Sequence, residues 1–131
     1  MKLLGIDYGR AKIGLAVAES GLAVPLLVVK VSSFKDSLEK IEIEIETQKP
    51  DMVVVGVSEA AMGEEQTNFA SSLSLSVSVP VVTWDEGLST QDAQALALQA
   101  GKKRKKRREM EDAYAAAVVL QSYLDTKNPN V

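Results

Sequence analysis

The segment DMVVVGV, residues 51–57, constrains this chain more than any other. After Asp51 it carries no charge and is dominated by β-branched valine. A short run of that kind suits a central parallel strand buried on both faces. A strand buried on both faces needs helices packed above and below, which makes the fold α/β. Pro50 marks the end of whatever helix precedes it. At 131 residues and 46% hydrophobic, residues 1–131 are expected to form one domain with a real core.

The other elements follow from pattern. Residues 2–8 read as a strand, 9–11 as a turn and 12–18 as a second strand, an antiparallel hairpin. Pro25 precedes a third strand, LLVVKV. SSFKDSLEKIEIEIETQK opens on serine caps and spaces Leu38, Ile41 and Ile45 as a helix does. Its middle, IEIEIE, also alternates like a strand; the segment's length and polarity favour helix. EEQTNFASSLSLS, with Phe69 and Leu73 four apart, reads as a second helix, and VPVVTW as the fifth strand. STQDAQALALQA reads as a helix capped by Ser89 or Thr90 and stopped by Gly101. EMEDAYAAAVVLQSYLD is the last helix, and TKNPNV a frayed tail. The order β-β-β-α-β-α-β-α-α predicts a mixed five-stranded sheet, a three-strand antiparallel meander followed by two parallel strands, flanked by helices. No repeat or linker interrupts it.

Cysteine and histidine are both absent. Their absence excludes disulfides, Ser-His-Asp and Cys-His mechanisms, and zinc sites built on His or Cys. Carboxylate, lysine, arginine, tyrosine and hydroxyl chemistry remains, and carboxylates alone suit hard ions such as Mg²⁺ or Mn²⁺. No secretory signal or membrane span is legible, so a cytoplasmic protein is expected. The net charge of −3 hides an asymmetry. Seven of the 15 Lys/Arg lie in KKRKKRR, residues 102–108, leaving 8 against 18 Asp/Glu elsewhere.

Three acids stand where packing alone would not put them. Asp7 ends the first strand, Glu86 follows the fifth, and Asp112 heads the stripe 112, 115, 116, 119, 120, 123 of the last helix. Ligands of open α/β sheets gather at the carboxyl ends of parallel strands. If the first and fifth strands run parallel, Asp7 and Glu86 share that edge and Asp112 can descend onto it. Three converging carboxylates repel one another, and divalent cations remove that conflict. Read singly, each has a bland alternative. Asp7 supports its own turn; Glu86 is a solvated loop acid; Asp112 is a first-turn acid interchangeable with Glu111 and Glu109.

The basic run is either a solvated segment or a nucleic-acid contact near the acids, and the second reading is preferred. It lacks the aromatic platform that would read sequence. The glycines of GIDYGRAKIG do not match the dinucleotide fingerprint, and no phosphate-binding G-x-x-x-x-G-K-[ST] loop occurs. Trp84 reads as a core strand residue in preference to a base-stacking one. Met62 and Gly63 mark a loop after the fourth strand, which touches a phosphate or merely turns the chain.

These residues, taken together, resemble the YqgF-type, RuvX-like family of Holliday junction resolvases and pre-16S rRNA nucleases, within the ribonuclease H-like superfamily. The resemblance spans residues 3–125. GIDYGRAKIGLAVAES is similar to the first block, with Asp7 at its acidic position. GLAVPL and PDMVVVGVSEAAMGEEQ follow, and WDEGLST is similar to the block D-E-R-L-[ST]-T, with Glu86 acidic. KKRKKRREMEDAYAAAVVLQSYLD is similar to the basic loop and final D-x-x-A-A helix, with Asp112 acidic. The chain departs from the family pattern at Gly87, where arginine is usual, at Ser58, where proline is usual, and at Ala11-Lys12, where lysine-arginine is usual.

The resemblance implies a ribonuclease H-like fold and metal-dependent phosphodiester hydrolysis with Mg²⁺ or Mn²⁺ held by Asp7, Glu86 and Asp112. It implies nucleic-acid contacts from Lys12, Lys102, Lys103, Arg104, Lys105, Lys106, Arg107 and Arg108, on structured RNA or branched DNA. The expected protein is a monomer or homodimer away from membranes. Processing of the 5′ end of precursor 16S rRNA is preferred over junction resolution, which needs two active sites and hence a symmetric dimer. A non-catalytic binding module is the main rival. An actin-like kinase, which needs two such domains to enclose ATP, is set aside.

Overall fold

The computed structural model describes residues 1–58, 62–85 and 109–127. Five strands form one sheet: β1 (Leu3–Asp7), β2 (Lys12–Ala18), β3 (Ala23–Lys30), β4 (Met52–Val57) and β5 (Val81–Asp85). Their spatial order is β3-β2-β1-β4-β5. β1, β2 and β3 pair antiparallel, whereas β1–β4 and β4–β5 pair parallel. This is the expected meander with two parallel strands. The valine-rich segment 51–57 supplies β4, where Val53, Val54 and Val55 are fully buried.

Helices α1 (Phe34–Gln48) and α2 (Gly63–Ser76) cover one face of the sheet, and α3 (Glu111–Lys127) covers the other. The core between sheet and α1/α2 holds Leu4, Ile6, Ile13, Leu15, Val53, Val55, Ile41, Phe69 and Leu73. The core under α3 is built from smaller residues, including Ala16, Ala18, Val54, Ala116, Ala117 and Leu120. α1 starts as its serines suggest, with the Asp36 amide donating to Ser33 Oγ at 3.0 Å. The IEIEIE stretch is helical, and Ile41 and Ile45 carry its buried face. The chain leaves α1 through Lys49 in the left-handed region (φ 51°), immediately before Pro50.

Three expectations need correction. β3 does not begin after Pro25 but runs through it from Ala23. β3 lies at the sheet edge, and Pro25 pairs with Ala16 where the register shifts between Leu15 and Ala16. An edge strand at an irregularity tolerates a residue without an N–H. The buried side of α3 is also broader than the expected stripe. Ala113, Tyr114, Ala117 and Val118 are buried with Ala116, Val119 and Leu120, while Ala115 is only half-buried. Thr126 and Lys127, read as tail, belong to α3. The helix expected over 89–101 lies outside the described residues.

Candidate active site

Strand alternation aims Asp7. Leu4, Ile6 and Tyr8 point into the α1/α2 core, where the Tyr8 ring lies 4.6 Å from that of Phe69. Asp7, between two of them, faces the α3 side, as do Leu3 and Gly5. Asp7 pairs across strands with Gly14 of β2, and directly paired residues share a face. A Cβ at Gly14 would overlap the main-chain carbonyl of Asp112. The first turn of α3 therefore sits directly on Gly14, beside Asp7. Gly5 makes a second close approach: a Cβ there would stand 2.9 Å from Cβ of Leu120. Two strand glycines thus let α3 lie low enough to bring Asp112 to the end of β1.

Asp112 is half-buried, whereas Glu109 and Glu111 are exposed. The three acids are not equivalent, which separates Asp112 from the interchangeable first-turn acid it could have been. Burial pushes the Asp112 carboxyl above its usual range; Lys12 works against that shift and Glu111 adds to it. Lys12 Nζ stands 3.8 Å from Asp112 Oδ2.

As expected, β1, β4 and β5 run parallel, so their carboxyl ends share one edge. Ile6 pairs with Val55, and Asp85, the last residue of β5, pairs with Val57. The ends of β1 and β5 are two strand spacings apart, roughly 10 Å. Glu86 follows Asp85 and lies outside the described residues, as do Lys102, Lys103, Arg104, Lys105, Lys106, Arg107, Arg108 and Gly87. Among the described residues no three acids gather as a metal-holding group; Asp7 and Asp112 are the two candidates the structure brings to one place.

Gln66 is a site-building residue the sequence reading missed. It is buried in α2, its Oε1 accepts from the Ser58 amide at 2.8 Å, and its Nε2 donates to the Tyr8 carbonyl at 3.4 Å. One side chain thereby ties the loop after β4 to the residue after Asp7. Its position among Phe69, Ala70 and Leu73 at helical steps was the available signal. Gly63 permits a close approach: a Cβ there would overlap the Ser58 carbonyl, while Met62 packs on the core. Trp84 is half-buried and packs against the core under α3, with Nε1 donating to Ser122 Oγ at 3.1 Å and its ring edge-on to Tyr123.

The donor chemistry at Asp7 and Asp112 fits a hard divalent cation. Both offer carboxylate oxygens, the chain has no imidazole or thiolate to compete, and Asp112 already draws a cationic group to within 3.8 Å.

Residues 1–126 match the family described as "RuvX: Holliday junction resolvase". A protein of Geobacillus kaustophilus named "Putative pre-16S rRNA nuclease" is 37% identical over 137 residues, covering 97% of this chain and 99% of that protein. One of the same name from Syntrophus aciditrophicus is 33% identical over 133 residues, covering 95% and 89%. Among solved structures, Thermus thermophilus RuvC in complex with a Holliday junction substrate superimposes with a TM-score of 0.67 at 19% identity, covering 98% of this chain and 97% of that one. The fowlpox virus resolvase in complex with Holliday junction DNA gives 0.67 at 11% identity, covering 98% and 99%. At such identities the likeness speaks to fold, the ribonuclease H-like arrangement of sheet and helices.

Proposed function

The chain belongs to the RuvX family, and on that premise we propose that it is a metal-dependent nuclease that hydrolyses phosphodiester bonds in maturing the 5′ end of precursor 16S rRNA. The observation that carries this reading is the seating of α3 on Gly14, which sets Asp112 beside Asp7 at the carboxyl end of β1. The names of the relatives from Geobacillus and Syntrophus supply the RNA substrate.

In this reading Asp7, Glu86 and Asp112 hold Mg²⁺ or Mn²⁺. Bound there, the cations supply an activated water and charge stabilisation at the leaving oxygen. The chain's own residues do the rest. Gly5 and Gly14 fix the height of α3 and hence of the Asp112 carboxylate. Gln66 holds the backbone on either side of the site. Lys12 offsets the Asp112 charge, and with residues 102–108 it attracts backbone phosphates. Gly87 offers no side chain where the family commonly has arginine, and Lys12, 3.8 Å from Asp112, supplies a cation beside that acid.

Membership of a Holliday junction resolvase family and the likeness to resolvases solved with Holliday junctions favour a second reading, resolution of four-way DNA junctions. That reading needs a symmetric dimer presenting two sites. Cleavage of precursor rRNA and of four-way junctions, assayed side by side with Asp7→Asn as control, separates the two. Trimming of the RNA with no junction cleavage supports the proposal. Binding to both without cleavage under any divalent metal leaves only a binding module. Among the described residues no helix is long and apolar enough to cross a membrane; action in the cytoplasm is part of the proposal.

A further inference from the structure

Lys12 and Lys30 are direct cross-strand partners at the end of the β2–β3 ladder. Directly opposed residues share a face and lie close, and like charges so placed destabilise a sheet. The face is the α3 face, because Lys12 reaches Asp112 there. Lys12 has that carboxylate partner at 3.8 Å. Lys30 has none within 4 Å among the described residues: its main-chain carbonyl accepts from Lys40, but its own ammonium is exposed. A second cation stands against the first, with no carboxylate within 4 Å to balance it among the described residues.

The two lysines border an open cleft of about 640 Å³ that Leu27, Val28, Glu109 and Met110 also line. Val28 pairs with Gly14, so the apolar floor of the cleft continues straight to the spot where Asp112 sits. Lys30 lies one strand beyond Lys12, roughly 5 Å further from the acids. Among the described residues Glu109, which precedes α3, contributes the one carboxylate of the lining.

We propose that this cleft is a binding subsite for the RNA strand next to the scissile phosphate, with Lys30 and Lys12 on consecutive backbone phosphates and Val28 and Met110 against a ribose or base. The inference rests on the nuclease reading and extends it to the path of the substrate. Charge complementarity argues for this occupant. Two opposed ammoniums over an apolar floor match an anionic backbone carrying flat, weakly polar bases. The cleft also leads away from the acids along β2 and β3, so a strand lying in it presents its next phosphate at Asp7 and Asp112.

The test measures binding of a short single-stranded oligoribonucleotide to the full chain by fluorescence anisotropy, in the Asp7→Asn background and across a salt series. Lys30→Ala is expected to weaken binding roughly threefold to tenfold at low salt and to flatten the log–log salt slope by about 0.7, the value for one single-strand phosphate contact. Lys30→Arg should restore both. Lys35→Ala, an exposed lysine on α1 on the far face of the sheet, should change neither. Unchanged affinity in Lys30→Ala, or an equal loss in Lys35→Ala, overturns the subsite. Thermal melting of Lys30→Ala is expected to match or exceed the parent, which keeps a binding loss from being read as unfolding. Cleavage by the wild-type chain is scored separately, so the nuclease reading can fail while the subsite stands, or the reverse.

Discussion

Gly14 and Asp112 are in such close register that no side chain fits between them: a Cβ on Gly14 would overlap the Asp112 carbonyl. The height of a candidate catalytic carboxylate is thus set by a missing methyl group on a neighbouring strand. Gly14→Ala should lift the first turn of α3 and lose about 1–3 kcal/mol of stability, the usual range for overpacking. Urea unfolding measures the first effect. Cleavage should fall by more than the small population of unfolded protein explains, because Asp112 moves relative to Asp7.

Asp112→Asn tests the charge of the same residue. Burial raises the folded-state carboxyl value, so the folded chain holds that proton more firmly than the unfolded chain does. The resulting stabilisation is fully present below the ordinary carboxylate range and is lost as pH rises through the raised value. In metal-free buffer at neutral pH the ionised Asp112 therefore weakens the fold, and its pair with the half-exposed Lys12, at 3.8 Å, offsets only part of that cost. The variant should melt at or above the wild-type temperature at pH 7, and the difference should shrink as pH falls through the carboxylate range. A melt series in chelator checks this. A lower melting temperature for the variant at pH 7 contradicts it.

Gln66→Ala removes both ties between Ser58 and Tyr8. Leaving buried main-chain groups without their partner costs about 1–3 kcal/mol. Gln66→Glu keeps the acceptor for the Ser58 amide and loses the donor to the Tyr8 carbonyl. It sets a carboxylate at a buried position against that carbonyl, so it should cost at least as much stability as the alanine variant and should also lower cleavage. Chemical denaturation beside a cleavage assay distinguishes the two variants.

Much of this was written in the chain. The valines of β4 announce a strand buried on both faces, and the serines before α1 announce its start, because burial and capping are local properties. The meander and its parallel extension followed from element order. Asp7 and Asp112 could be singled out because each is an acid at a position that otherwise faces packing. What stayed hidden depends on register. The glycines at 5 and 14 look alike in sequence, and only pairing shows one beneath Leu120 and the other beneath Asp112. Lys30 ends an apolar run and looks like ordinary strand punctuation until β2 is laid against β3 and Lys12 appears opposite. Pro25 reads as a strand breaker unless the strand is known to be an edge. Gln66 reads as a polar helix residue until the loops it joins are seen.

The central claim is that Asp7, Glu86 and Asp112 together hold the divalent cations that make this chain a nuclease. Its most direct test is a Mn²⁺ binding isotherm for the wild type, Asp7→Asn, Glu86→Gln and Asp112→Asn, with cleavage of precursor 16S rRNA followed in the same buffers. Each single variant should bind Mn²⁺ more weakly and lose more than about 100-fold in cleavage, beyond what a residue merely supporting a ligand costs, while remaining folded. Full Mn²⁺ affinity and full cleavage in any one of the three would contradict the claim.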